Sequence, residues 1–432
     1  MRSIDSALSR RRLLQLAGLA ATGSALAACA GPGGEDSPAP AGGSQFDGPV
    51  EGELSFAHWR AEDKSVFDQI IADFVKKNPK VTVRQDISPS NDYQSTALQK
   101  IRGGSVGDAF TAFRGAQFTD IAKAGIFSDL SGQADLTGRY QTNLISAGAS
   151  DGKQLGLPYQ LVFNMPVTNT DLLAKNGYAE LPADWDGFLA MCDALKGKGI
   201  TPIAWPGGDA GNAGQLLNAM VMNNAPSDDA FAKIESGEYK ATDDWFLTTL
   251  KQYAQLRPYF QSGAKGTGAE AAQQLFVSQK AALLATGSYM VGAIRKLGAT
   301  FPLGLYAPIT TTADKAKYEG IFNATFILGV NAKSSKRGAA LAWLKHLSDP
   351  AVAATYANGT VQHVTVKDVD YTNADLKAFE PWLTKKTLLA PRFQFNNLDV
   401  RGAVENATVQ VVGGTAPEQA AEAAQRVIDQ KR

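Results

Sequence analysis

Residues 51–88 read EGELSFAHWRAEDKSVFDQIIADFVKKNPKVTVRQDIS, and the hydrophobic period changes twice within them. Around Leu54 and Phe56 apolar residues alternate with others, the period-2 pattern of a strand. Phe67, Ile70, Ile71 and Phe74 then recur at helical spacing until Asn78-Pro79 stops the run. Val81 and Val83 restore the strand period. A strand, a helix and a second strand in so short a span predict a parallel pair joined by a crossover helix.

Downstream sequence extends that unit. DYQSTALQKIRGG (92–104) predicts a helix and DAFTAF (108–113) a third strand, followed by a helix over QFTDIAKAG (117–125). From about 165 to 300 helical patterns dominate, among them ADWDGFLAMCDALKGKG (183–199) and TDDWFLTTLKQYAQL (242–256). Strand-like sequence returns in GLYAPITTTADKAKYEGIFNATFILGV (304–330), and SKRGAALAWLKHLSDP (335–350) and PEQAAEAAQRVIDQKR (417–432) read as helices. The fold class is α/β, and a body of residues 50–432 is long enough for two domains.

Ahead of the body, Arg10-Arg11-Arg12 precede an apolar run from Leu13 to Ala28, too short to span a bilayer. Residues 1–28 are expected to be an export signal of the twin-arginine type. Leu26-Ala27-Ala28-Cys29 resembles the bacterial lipobox, which makes Cys29 the expected lipidated N-terminus of the mature chain. Residues 29–49, rich in Gly, Pro, Ala and Ser, are expected to be a flexible tether spanning roughly 25 Å. Loss of the signal leaves 38 basic and 41 acidic residues, with no basic excess to suit a nucleic acid. Cys192 falls among Phe188, Met191 and Leu195 at helical spacing and is expected to be a buried, inert thiol. Trp185, Trp245 and Trp343 also occupy apolar helical positions and read as core.

The order of segments resembles the extracellular solute-binding proteins of ABC sugar importers, the maltose-binding-protein-like family. GELSFAHW (52–59), DGKQLGLPY (151–159), TNTDLLAKNGYAELPADWDGF (168–188), KAALLATGSYMVG (280–292), GVNAKSSKRGAALAWLKHLSDP (329–350) and GGTAPEQAAEAAQRVI (413–428) carry the resemblance. Thr168 and Tyr289 stand where the family usually has tyrosine and often tryptophan. The resemblance implies a bilobal periplasmic-binding-protein-like fold of two discontinuous α/β lobes. The first would comprise 50–160 plus 305–340 and the second 161–304 plus 341–432, with hinge crossovers near 159–164 and 306–320. It also implies a non-enzymatic monomer that binds a carbohydrate, expected to be an oligosaccharide, in the interlobe cleft. That monomer would deliver its sugar to an ABC permease from the outer face of the cell membrane. No cofactor and no metal are expected.

A sugar offers C–H faces that an aromatic ring can cover and hydroxyls that Asp, Glu, Asn, Gln and Arg can satisfy. Such residues are sought where strands end and loops begin. Trp59, Arg60 and Glu62 follow the first strand; Phe113, Arg114 and Gln117 follow the third. Trp205 and Asp209 lie in a glycine-rich turn, and Tyr289 follows Gly287 after an apolar run. Phe322 and Asn323, then Arg392 and Asn397, complete the candidate set, with Phe393 and Asn396 beside them. Two other readings compete. A hydrolase would use Gly148-Ala149-Ser150-Asp151-Gly152, which matches a nucleophile elbow in letters but reads as a surface turn. The acidic pairs at 228–229 and 243–244 are expected to cap helices rather than serve a glycosidase. A receptor for a non-sugar solute such as iron would need a tyrosine-based site, because only three histidines occur.

Overall fold

The computed structural model describes residues 46–104 and 106–432; the expected signal, Cys29 and most of the tether lie outside them. Its strands are β1 (Gly52–His58), β2 (Val81–Ile87), β3 (Ala109–Ala112), β4 (Ala149–Ser150), β5 (Lys153–Gln154), β6 (Leu157–Phe163), β7 (Val167–Asn169), β8 (Thr201–Ala204), β9 (Ala281–Leu284), β10 (Leu303–Leu305), β11 (Gly320–Val330), β12 (His363–Val364) and β13 (Thr387–Leu389).

The opening stretch folds as its periods require. β1 pairs in parallel with β2, Gly52 opposite Val81, and with β3, Phe56 opposite Ala109. Between β1 and β2 the helix Lys64–Lys77 buries Phe67, Ile70 and Phe74, and the Asn78 N–H closes it on the Phe74 carbonyl at 2.9 Å. The large sheet runs β12-β6-β11-β3-β1-β2, with β13 beside β11. β11 is antiparallel to both β3 and β6, so β1, β3 and β6 all point the same way. A smaller sheet runs β10-β7-β9-β8. β9 lies between two hydrophobic clusters, with Ala281 and Leu284 in the first and Ala282 and Leu283 in the second.

The chain leaves the large sheet after Phe163, enters the small one at Val167, and returns between Leu305 and Gly320. A third passage follows β13, because the helix Leu398–Val412 puts Val400 and Val404 into the second cluster. The expected division also placed residues 341–432 together in the second lobe. Instead Trp343, Leu344 and Tyr356, from the helices Arg337–Leu347 and Pro350–Thr360, pack in the first cluster. An apolar stripe at helical spacing says that a helix is covered, not by which sheet. At the other end, Phe46 is buried in the first cluster and the Gly48 backbone lies against Gly338. The last residues of the expected tether are therefore packed against the body.

Trp185 and Trp343 are buried, whereas Trp245 is only partly so. Cys192 is fully buried, and that burial pushes its thiol well above the usual range. Ser150 and Asp151 lie at the β4–β5 hairpin, where Asp151 and Gly152 both have positive φ, the geometry of a tight turn. Asp229 and Asp243 occupy helix N-cap positions, but neither side chain makes a capping hydrogen bond.

Candidate functional site

A cavity of about 380 Å³ opens where β1, β3 and β6 end. In α/β sheets that end is the natural ligand side, because strands stop there and loops begin. The sequence candidates Trp59, Arg60, Glu62, Phe113, Asp209, Tyr289, Asn323 and Arg392 all line it.

One wall is aromatic. β1 and β3 are neighbours, so the residues just beyond them meet: Trp59 stacks on Phe113 at 3.7 Å and 19°. Phe326 meets the indole at 4.9 Å in an edge-on contact. Phe326 sits within β11 at φ 53°, a region that a bulky residue enters only when packing holds it there. Its contacts with Trp59, His58 and Phe67 supply that packing. Behind the same wall Gln117 accepts from the Phe113 N–H at 2.8 Å and donates to the Tyr93 carbonyl at 2.7 Å. Gln117 thus holds the wall and does not line the cavity itself.

The floor is polar. Thr325 of β11 lies opposite Gln160 of β6, and Asn323 opposite Val162. Gln160, Val162 and Asn164 share one face of their strand at period 2, as do Asn323 and Thr325 of theirs. The side-chain oxygens Asn164 Oδ1, Asn323 Oδ1 and Thr325 Oγ1 are buried with no hydrogen-bond partner. Buried polar atoms are nearly always paired, so three orphans on one cavity floor point to hydroxyl donors from outside the chain.

Charge is held in pairs. The Arg60 guanidinium grips Asp63 at 2.8 and 3.1 Å and reaches Glu62 at 3.0 Å. Asp63 in turn accepts from the Tyr356 hydroxyl at 2.6 Å, which ties Arg60 into the first cluster. Across the cavity Arg392 meets Glu405 at 2.9 Å, and Arg401 stands 3.9 Å from the same carboxylate. Burial, then Arg392 beside it, lowers the Arg401 guanidinium to about 10. Asp209 accepts from the Asn212 amide at 3.1 Å, and Tyr289 donates to Asn212 Oδ1 at 2.6 Å. Burial pushes the Tyr289 phenol well above its ordinary value, so it remains a donor at neutral pH.

The remaining candidates lie elsewhere. Trp205 is fully buried in the second cluster, stacked on Phe260 at 5.2 Å, its indole N–H on the Ala213 carbonyl. The ring covers Gly207, where a Cβ would meet the indole at 2.4 Å. Phe322 points away from Asn323 by alternation and packs on the first cluster. Asn397 caps the helix Leu398–Val412, accepting from the Asp399 N–H at 2.9 Å. Arg114 lies half-buried in the turn after β3 and does not line the cavity; burial lowers its guanidinium to about 10. Gln94, Gln160, Asn164, Asn212, Gln215, Thr325 and Arg401 line the cavity without having been singled out. For Gln160, Asn164 and Thr325 the signal was present: polar residues at period 2 inside the apolar runs PYQLVFN (158–164) and IFNATF (321–326).

No histidine lines the cavity, and among the described residues no group of three or more His, Cys, Asp or Glu could hold a metal. The bacterial extracellular solute-binding protein family matches residues 59–354. A multiple sugar-binding protein of Streptococcus mutans is 24% identical over 59% of this chain and 61% of its own length. The chain thus spans less than two thirds of that relative. Among solved structures, a chitin oligosaccharide binding protein superposes with a TM-score of 0.77 at 21% identity, covering 89% of this chain and 99% of that one. The solute-binding protein RafE in complex with raffinose also gives 0.77, at 18% identity over 88% and 99% of the two chains. These likenesses establish the fold.

Proposed function

The chain belongs to the bacterial extracellular solute-binding protein family, and from that premise we propose that it is a receptor which captures a carbohydrate between its two sheets for an ABC importer. The carrying observation is the pairing of the Trp59–Phe113 stack with the three unpartnered oxygens of Asn164, Asn323 and Thr325. An aromatic face covers C–H groups while the floor accepts from hydroxyls, and a sugar supplies both at once. The sugar-binding relative in Streptococcus mutans and the raffinose complex support the same ligand class. Trp59, Arg60, Glu62, Phe113, Asp209, Tyr289, Asn323 and Arg392 form the binding residues of this reading, with Gln160, Asn164 and Thr325 added to them. The protein acts as a monomeric receptor and not as an enzyme. It is exported by residues 1–28, anchored to the membrane through a lipidated Cys29, and presented to permease subunits there.

Calorimetry and thermal unfolding against a panel of neutral sugars test the binding. The right sugar at 100 times its Kd should stabilise the fold by about 2.7 kcal/mol. A panel in which no carbohydrate shifts the melting temperature removes this reading. Mass spectrometry of protein extracted from native membranes tests the anchor, which requires a diacylglyceryl-modified cysteine at the mature N-terminus.

A further inference from the structure

Resting on the carbohydrate reading, we propose that the cleft recognises a single uncharged, pyranose-sized ring, and that further sugar units attached to that ring add no affinity. The size follows from volume. A cavity of about 150 Å³ accommodates benzene, or about 25 Å³ per heavy atom, so about 380 Å³ takes about 15 heavy atoms. A hexose has about 12 and a disaccharide about 23, so one ring fits within this volume and a second unit would lie outside it.

A boundary on the page limits extension. Arg60, Glu62 and Tyr289 line both this cavity and an annex of about 180 Å³. At about 25 Å³ per heavy atom the annex holds about 7 heavy atoms, less than one ring. The wall between them is fixed on both sides, since Arg60 is locked to Asp63 and Tyr289 to Asn212.

The lack of ligand charge follows from pairing. Arg60 is neutralised by Asp63 and Glu62, and Arg392 by Glu405. Asp209 accepts from the backbone N–H of Asn212 at 3.2 Å and from its side-chain amide at 3.1 Å and forms no ion pair among the described residues, and Glu62 is exposed, so a carboxylate or phosphate on the sugar would meet negative charge. Arg392 and Arg401 share the one carboxylate of Glu405, so that side keeps a single excess positive charge, which Asp209 and the second carboxylate on Arg60 outweigh.

The test is calorimetry on the purified protein with neutral hexoses and pentoses, oligosaccharides built from them, and the matching uronic acids. The best monosaccharide should bind within threefold of any oligosaccharide that carries it, and its uronic acid at least tenfold more weakly. An oligosaccharide binding more than tenfold tighter than each of its constituents overturns the single-ring proposal and leaves the receptor reading intact. A uronic acid that binds more tightly than its neutral parent overturns the charge argument. Absence of any carbohydrate binding overturns both proposal and receptor reading. Tyr289→Ala should join the two compartments, raising the ratio of disaccharide to monosaccharide affinity at least tenfold; an unchanged ratio overturns the role of this wall.

Discussion

Asn323 is 1% exposed, and its side-chain oxygen has no partner. Such a group costs the fold about 1–3 kcal/mol when nothing satisfies it. A binding residue recovers that cost when a ligand hydroxyl arrives. Asn323→Leu should therefore stabilise the unliganded protein by about 1 kcal/mol in urea unfolding, because a similar volume is filled without a polar atom. The same variant should lose at least tenfold in sugar affinity by calorimetry. Destabilisation with unchanged affinity would assign Asn323 to the core. At this scale the sequence was readable where aromatic and charged residues cluster just past a strand, as in Trp59-Arg60 and at Phe113. It misled at Trp205, because a tryptophan beside glycines looks the same whether the glycines expose the ring or lie beneath it. Gln160 and Thr325 were hidden for another reason: they lie inside strands whose apolar content reads as core, and Asn164 closes the same apolar run as Gln160.

Strands and helices were legible in type, since β1, the helix Lys64–Lys77 and β2 follow directly from a change of period. Their partners were not, because the helices Arg337–Leu347 and Leu398–Val412 both carry apolar stripes yet serve different clusters. Nor did periodicity reveal what the strands would cost in acid. β1 ends on His58 and β12 begins on His363, 0% and 2% exposed. Burial lowers both imidazoles from 6.5 to about 4, with Gln85 partly opposing the shift at His58. Between pH 6.5 and 4 the unfolded chain therefore binds protons that these strands refuse, and stability falls as pH falls through that window. Each histidine contributes at most about 3 kcal/mol to that loss. Urea midpoints at pH 7, 5.5 and 4.5 should decline, and His363→Phe should flatten the decline, because the buried ring no longer takes up a proton on unfolding, although its hydrogen bond to the Leu376 backbone is lost. A variant slope equal to that of the parent would show that His363 titrates normally.

The interleaving of segments through three passages between the sheets makes the cleft a seam that no continuous piece of chain owns. Two side-chain hydrogen bonds tie the helix Ser90–Arg102 and the helix Ala116–Lys123 to residues 396–401: Arg401 on Gln94 at 3.2 Å and Thr119 on Asn396 at 2.8 Å. Each such bond adds about 0.5–1.5 kcal/mol net, so the pair holds the seam by about 1–3 kcal/mol. That is comparable to the gap between two populated conformers, and far less than a bound ligand contacting both sides can add. An opening equilibrium that the ligand pulls toward the closed form is then expected. In the double variant Gln94→Ala, Thr119→Ala the unliganded radius of gyration from small-angle scattering should exceed that of the parent. Saturating sugar should bring both proteins to the same smaller value. Affinity should fall by roughly 5- to 150-fold, the equilibrium factor for 1–3 kcal/mol, because the competent conformer is rarer. The aromatic wall and polar floor are untouched, but Gln94 lines the cavity, so Thr119→Ala alone, which removes no lining side chain, separates loss of the seam from loss of a ligand contact. A radius of gyration indifferent to both mutation and sugar would mean that the seam is rigid and that the ligand enters without any movement of the two sides.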